Sequence, residues 1–214
     1  MGQYSSIVSV KRNELSANFD ERHAVEDSEK WKEVLKKLIG KDEIASVFDV
    51  ETGTDFLAIM RTELGCKSDG IDFAEGMLII GSQHAVERGV EVGFQLGEAV
   101  NLPYPDNTFD AVISSRALWT LLYPDKAFQE WKRVLKPGGM VLSFTRTQGK
   151  KDEVNNSVCA DETESRLPLR SVNEIEITQA LMNSGFKSAE AILLPKDLIS
   201  IEDIKPWFAI KGIK

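Results

Sequence analysis

The sequence predicts an α/β fold in which a doubly wound, mostly parallel sheet carries helices on both faces. Short apolar segments alternate along the chain with amphipathic stretches, and strands that alternate with helices of about 10–15 residues are typical of parallel sheets. Two successive strand candidates end in an acid, Asp49 and Asp72. Small ligands bind such sheets at the carboxyl ends of the strands, near the point where the strand order reverses. We therefore expect a ligand site at the edge that both acids share.

The individual elements follow from apolar runs and from the residues that begin and end helices. The seven strand candidates are 45–50, a segment that ends at Asp72, 90–96, 110–114, 140–145, 189–194 and 207–212. The helix candidates are 28–39, 56–64, 74–88, a stretch through 127–135, and 174–184. Asp27-Ser28 is typical of a helix start, and Gly40 and Gly65 are typical of helix ends. Pro137-Gly138-Gly139 predicts a turn before the strand at 140–145.

Composition indicates one folded domain over residues 1–214. Hydrophobic residues make up 42% of the chain and charged residues 28%, which is ordinary for soluble proteins, and the length suits one domain with a sizeable core. Cys66 and Cys159 lie far apart in the sequence and predict neither a disulfide framework nor a zinc site. No metal site is expected.

The net charge limits the expected partners. A formal charge of -8 repels phosphate backbones and anionic lipid, so we expect neither nucleic acid nor a membrane as a partner. The N-terminus lacks the apolar centre of a signal peptide, and no apolar run approaches the roughly 18 residues of a membrane helix. We therefore expect a cytoplasmic location. The oligomeric state is left open.

Four sequence blocks carry a resemblance to a known family. They stand in order as VFDVETGTD at 47–55, GIDFAEGML at 70–78, GEAVNLPYPDNTFD at 97–110 and RVLKPGG at 133–139. At this spacing they resemble the class I S-adenosylmethionine-dependent methyltransferases, specifically the small-molecule type with a single core domain. The resemblance implies a Rossmann-like, seven-stranded methyltransferase fold, S-adenosylmethionine as cofactor and a small-molecule substrate. It favours an enzyme that transfers a methyl group by proximity and alignment.

The resemblance also divides the chain into functional segments. Residues 1–40 correspond to an N-terminal helical cover and residues 45–145 to the cofactor-binding core. Residues 173–214 supply a closing helix and two strands. Residues 146–172 are polar and too long for a plain connection, so we interpret them as a lid or a mobile loop.

Cofactor contacts are implied residue by residue. Asp72 corresponds to the acid that accepts hydrogen bonds from the ribose hydroxyls, with a helix cap as the alternative. Met77 corresponds to a residue that packs on the adenine, or it is an ordinary core residue. Glu98 replaces an aspartate that accepts a bond from the adenine amino group. The full set of expected cofactor-binding residues is Asp49, Glu51, Gly53, Asp55, Asp72, Met77, Glu98 and Ser114.

The loop at 51–55 departs from the family pattern. Glu51 and Asp55 replace the first and third of three glycines, and Gly53 keeps the second. A carboxylate fills space that glycine leaves open; it would repel the carboxylate of the cofactor and attract its ammonium or sulfonium. Three alternatives follow: a methyltransferase that binds S-adenosylmethionine in an adjusted pose, a pseudo-methyltransferase that serves as a binding or regulatory module, or a protein that binds another nucleoside-like ligand.

Catalytic residues are only weakly indicated, because methyl transfer from a sulfonium needs little acid–base help. The candidates are His23 in the N-terminal segment, and Arg116 and Trp119 after the fourth strand. Each has a simpler alternative, as a surface residue or a packing residue. His84, on the helix after Asp72, is expected on that helix's exposed side. The methyl acceptor cannot be inferred from the sequence.

Overall fold

A seven-stranded sheet organises the computed structural model, which describes residues 26–39, 45–54, 56–146, 167–170, 172–199 and 205–214. The strand order is β3-β2-β1-β4-β5-β7-β6. Neighbouring strands from β3 to β5 pair in parallel, and β7 runs antiparallel to both β5 and β6. The strands are β1 Ser46–Val50, β2 Lys67–Asp72, β3 Val92–Leu96, β4 Phe109–Ser115, β5 Leu135–Arg146, β6 Ser188–Leu193 and β7 Trp207–Ile213. The predicted mostly parallel, doubly wound sheet is confirmed.

The helices lie between the strands, as the sequence predicted. They are α1 Ser28–Ile39, α2 Phe56–Glu63, α3 Glu75–Arg88, α4 Pro124–Val134 and α5 Glu174–Asn183, with a 3-10 helix at Leu118–Thr120. Asn173 begins α5 with a capping box, in which its side chain accepts from the Glu176 backbone and Glu176 accepts in return. None of the described helices is long and apolar enough to cross a membrane.

Residues alternate between the two faces of the sheet and so build two cores. Phe48 and Val112 face a core that includes Trp131 of α4, whereas Val47 and Ile113 face a core that includes Trp31 of α1. The alternation has the period of two that a strand imposes. Helices therefore cover both faces of the sheet.

The predicted turn at Pro137-Gly138-Gly139 was wrong in one respect, because these residues lie inside β5. The pairing of β4 with β5 shifts register between Phe109 and Ala111, so β5 carries extra residues there. Gly138 has a φ of 78°, and a Cβ on Gly139 would come within 2.8 Å of the Asp110 carbonyl oxygen. The glycines thus form a bulge in a continuous strand.

The expected segment boundaries are only partly described. Of segment 1–40, which we expect to be an N-terminal cover, the structure describes residues 26–39; of the expected lid it describes Arg146, residues 167–170 and Val172. His23, Asp55, Cys159 and most of the lid lie outside the described residues.

Candidate functional site

The loop after β1, residues 51–54, is bonded to the neighbouring strand. We call it the cofactor loop, because the sequence predicts the cofactor there. The Thr52 backbone N–H donates to the Ile71 carbonyl at 3.0 Å, and the Thr52 hydroxyl donates to Asp49 Oδ2 at 3.1 Å. Asp49 is itself buried at the end of β1. These bonds hold the loop at the carboxyl edge of β1 and β2, where the sequence placed the ligand site.

Glu51 and Gly53 both have left-handed backbone conformations, with φ angles of 55° and 62°. A residue other than glycine pays about 1 kcal/mol for this conformation. The loop therefore keeps a turn that suits glycine although glutamate occupies the first position. Glu51 Oε2 accepts a hydrogen bond from Thr120 Oγ1 at 3.1 Å, so its side chain extends toward the segment after β4.

Asp72 connects the cofactor loop to the start of α3. Its side chain is 1% exposed; Oδ2 accepts from the Gly53 N–H at 3.0 Å, and Oδ1 accepts from the Ala74 N–H at 2.8 Å. Ala74 is the N-cap residue of α3 and has no side-chain cap bond of its own, so Asp72 does not occupy the N-cap position. A carboxylate offers about four lone-pair sites. These two bonds fix the orientation of the carboxylate.

Glu98 presents an acceptor whose hydrogen bonding is incomplete. Its Oε1 atom is buried, and no hydrogen-bond donor among the described residues reaches it. The preceding Gly97 N–H donates to the Asp72 carbonyl at 2.9 Å, which joins the end of β3 to the end of β2. A buried carboxylate oxygen without a hydrogen bond costs free energy. A ligand amino group that donates to this oxygen would remove that cost.

A small apolar cluster, separate from the two main cores, lies beside Asp72. It contains Phe73, Ala74, Met77 and Leu167, with Leu122 packed against it. Sequence reasoning identified Met77 and missed Phe73 and Leu167; the position of Phe73 directly after Asp72 was the available signal. The cluster provides apolar side chains next to the Asp72 carboxylate, and Met77's contact with adenine stays a prediction.

Ser114 lies within the sheet rather than at its edge. It is fully buried, and its hydroxyl is 2.8 Å from the Ser143 hydroxyl of β5. Its side chain therefore bonds across β4 and β5. Its expected contact with the cofactor stays a prediction that this geometry does not favour.

Arg116 and Trp119 belong to an aromatic and ionic cluster that we call the tryptophan corner, formed by Glu26, Trp31, Arg116, Trp119 and Trp207. Arg116 forms an ion pair with Glu26, with side chains 19% and 1% exposed, and its guanidinium carbon lies 4.9 Å from the Trp207 ring centroid. Glu26 also accepts from Trp31 Nε1 at 2.9 Å. Trp119 meets Trp207 edge to face, with centroids 6.0 Å apart.

The tryptophan corner gives Arg116 partners that explain its position without a substrate. Its φ is 58°, and its backbone N–H donates to the Phe144 carbonyl at 2.9 Å. An anionic substrate would have to compete with Glu26 for the guanidinium. The catalytic roles suggested for Arg116 and Trp119 therefore stay predictions.

His84 does not lie on the exposed side of its helix, as we expected. It is half-buried, and its Nδ1 lies 3.1 Å from the Thr54 carbonyl oxygen of the cofactor loop. His84 follows Met77 by seven residues, which places both on one helix face. That spacing was visible in the sequence and contradicts the expectation of an exposed histidine.

The site fits S-adenosylmethionine. Asp72 and Glu98 supply acceptors at the ends of adjacent strands, and the apolar cluster supplies a surface for the adenine. Glu51 adds a negative charge to the loop beside these acceptors, which complements the sulfonium and the ammonium of that cofactor. Loss of cofactor binding gains no support, because the loop retains its left-handed turns. Within the described ranges, no cluster of three or more His, Cys, Asp or Glu side chains is placed to hold a metal ion.

Comparisons with known proteins agree with this geometry. Residues 48–143 match the methyltransferase domain family. The demethylmenaquinone methyltransferase of Thermus thermophilus is 42% identical over 102 residues, which cover 46% of each chain. The ubiquinone/menaquinone biosynthesis C-methyltransferase of Bdellovibrio bacteriovorus is 34% identical over 154 residues, or 67% of this chain and 66% of that protein.

A solved structure shows the same fold over the whole chain. The S-adenosylmethionine-dependent methyltransferase of Aquifex aeolicus superimposes with a TM-score of 0.67 and 22% identity, covering 100% of this chain and 99% of that one. The chain spans between 46% and 66% of the length of the two curated relatives. The four blocks, the cofactor-binding edge and these matches agree: the chain belongs to the class I methyltransferase family, whose cofactor is S-adenosylmethionine.

Proposed function

We propose that this chain transfers a methyl group from S-adenosylmethionine to a small-molecule acceptor. The observation that carries the proposal is the pair of acids after β2 and β3: buried Asp72 is fixed by two backbone donors, and half-buried Glu98 has a buried oxygen that no donor among the described residues reaches. Together they form acceptors for the ribose and adenine parts of one nucleoside. When bound, S-adenosylmethionine supplies an electrophilic methyl group.

The protein's contribution is to bind, orient and exclude water. Asp72 and Glu98 would hold the adenosine part, and the apolar cluster of Phe73, Met77 and Leu167 would cover it. Glu51 would add a negative charge beside the rest of the cofactor. Alignment of this kind lowers the barrier by converting an encounter between two molecules into a reaction within one complex, so no acid–base pair is required.

We propose a carbon atom of a quinol-type ring as the methyl acceptor. The support comes from the relatives, whose names describe a demethylmenaquinone methyltransferase and a quinone-biosynthesis C-methyltransferase. Trp119, half-buried near the end of β4, offers a flat apolar surface suited to an aromatic ring. The hydroxyl groups of a reduced quinone enrich the neighbouring ring carbon in electrons, which makes that carbon a nucleophile. Its electron pair forms the new C–CH3 bond as the S–CH3 bond breaks, and the hydrogen of that ring carbon then leaves as a proton to water.

The test measures cofactor binding and methyl transfer separately. Calorimetry with S-adenosylmethionine should show saturable binding, and incubation with methyl-deuterated cofactor and a reduced naphthoquinone bearing an unsubstituted ring carbon should give a labelled product by mass spectrometry. Asp72→Asn should reduce both signals. Asp69→Asn, on the same strand but three residues from the edge, is the matched control.

Two results would contradict the proposal at different levels. Absence of S-adenosylmethionine binding at millimolar concentration would contradict the methyltransferase itself. Binding with formation of the demethylated cofactor on a different acceptor would contradict only the quinol ring.

A further inference from the structure

The carboxylate of Glu51 lies over the point where the strand order reverses. β1 and β4 are neighbours at the centre of the sheet; Glu51 follows β1, and Thr120 ends the 3-10 helix after β4. Glu51 Oε2 accepts from Thr120 Oγ1 at 3.1 Å, so the side chain reaches from the cofactor loop to the β4 side. Ligands of doubly wound sheets occupy this crevice, and the carboxylate therefore lies within it.

The backbone at Glu51 indicates that the side chain has a use. Its φ of 55° is a conformation that glycine adopts without a steric penalty. Strain of this kind collects at binding and catalytic sites, where the surrounding structure maintains it. Glutamate keeps the same turn that glycine would form, but with a steric penalty. What it adds in return is its carboxylate-bearing side chain.

Thr120 sets the position of that carboxylate. Its hydroxyl lies 2.7 Å from the Ala117 carbonyl oxygen as well as 3.1 Å from Glu51 Oε2. A hydroxyl has one proton to donate, so the two acceptors share it. Thr120 thus contributes to the orientation of the Glu51 carboxylate.

We propose that Glu51 is a specificity-determining residue that favours the charged methyl donor over the product left after transfer. The inference rests on the proposed function. Methyl transfer removes the positive charge from sulfur, because the electron pair of the breaking S–CH3 bond stays on sulfur while the acceptor's electron pair forms the new bond. S-adenosylmethionine and S-adenosylhomocysteine otherwise share the same adenosine and amino-acid parts. A carboxylate within the crevice that would hold the cofactor therefore attracts the donor more than the product, which promotes product release.

The test compares two dissociation constants measured by calorimetry, one for S-adenosylmethionine and one for S-adenosylhomocysteine. The Glu51→Gln variant keeps the size and the hydrogen-bond acceptor but removes the charge. We expect it to reduce the preference for the donor about tenfold, mainly by weakening donor binding. Glu190→Gln removes the same charge from exposed β6 and should leave the preference unchanged. Thr120→Val should reduce it by a smaller factor, because the carboxylate loses its orientation.

The outcomes separate this inference from the proposed function. A wild-type protein that binds the cofactor and transfers methyl groups, together with a Glu51→Gln variant whose preference is unchanged, would overturn the inference alone. Tighter binding of both ligands by Glu51→Gly would also overturn it, because the carboxylate would then be an obstruction. A wild-type protein that binds neither ligand would overturn the proposed function and this inference with it.

Discussion

The charged groups at the two halves of the sheet's carboxyl edge differ in how fully they are paired within the protein. At the ends of β2 and β3, Glu98 keeps a buried oxygen without a donor among the described residues. At the end of β4, the tryptophan corner surrounds Arg116 with an ion pair and an aromatic ring. A buried acceptor oxygen without a donor from the protein indicates a ligand. A charged group that is paired within the fold indicates a structural role. The adenosine part of the cofactor should therefore bind at the first half, whereas the Arg116–Glu26 pair in the second half should mainly stabilise the fold.

The largest expected effect lies in the tryptophan corner. Glu26→Ala leaves the Arg116 guanidinium and Trp31 Nε1 without the acceptor that they share. We expect the free energy of unfolding to fall by about 3 kcal/mol, measured by urea denaturation, while the affinity for S-adenosylmethionine changes little under folding conditions.

A control on the same helix sharpens this prediction. Glu29→Ala removes an exposed acid that pairs with Lys32 and should cause little or no change in stability. If Glu26→Ala instead left stability intact and weakened cofactor binding, the division of the edge into a binding half and a structural half would be wrong.

Glu98→Met should have opposite effects on stability and binding. Replacing a partly unsatisfied carboxylate with an apolar side chain of similar length should stabilise the ligand-free protein by about 1 kcal/mol. It should also weaken S-adenosylmethionine about tenfold, because the adenine amino group loses its acceptor. Thermal unfolding with and without cofactor measures both changes.

The exposed Glu91 at the other end of β3 provides the matched comparison. Glu91→Met should change neither quantity much. Destabilisation by Glu98→Met would mean that Glu98 supports the fold, and the contrast between the two halves would disappear.

His84 tests whether the cofactor loop depends on the helix beneath it. His84→Ala removes the contact between Nδ1 and the Thr54 carbonyl and should cost about 1 kcal/mol or less of stability, with a modest rise in the dissociation constant of the cofactor. Gln83→Ala, on the exposed neighbouring position, is the control. An unchanged dissociation constant would show that bonds to β2 alone hold the loop.

The sequence predicted the architecture better than it predicted the site. Alternating strands and helices, and the acids that end β1 and β2, follow from local patterns, so the sheet and the position of Asp72 were predictable. The contact of Glu51 with Thr120 joins residues far apart in sequence, and so does the pair of Arg116 with Glu26. No local pattern encodes which side chains meet across a crevice.

Two further misses have the same origin. The Pro137-Gly138-Gly139 signal indicates a break in regular pairing, but only the partner strand decides whether that break is a turn or a bulge. For His84, the helix period placed it beside Met77, yet the identity of its partner depended on where the loop at Thr54 folds.

The smallest expected effect comes from the opposite edge of the sheet, where Asp110 represents a carboxylate with a purely structural role. Burial tends to raise its pKa, but hydrogen bonds from Lys136 and Ser46 outweigh burial and hold the pKa below its usual value. A lowered folded-state pKa contributes stability above the unfolded-state value, and that contribution is lost as the pH falls through the folded-state pKa. The stability difference between wild type and Asp110→Asn should therefore be present at pH 7 and shrink as the pH falls below about 4. Urea denaturation at several pH values measures it, with the exposed Asp125→Asn as control.

Because no ligand is expected at this edge, adding S-adenosylmethionine should stabilise Asp110→Asn and wild type equally, whereas it should stabilise Glu98→Met less than wild type. Equal stabilisation of all three would remove the distinction between an acid kept for a ligand and an acid kept for the fold.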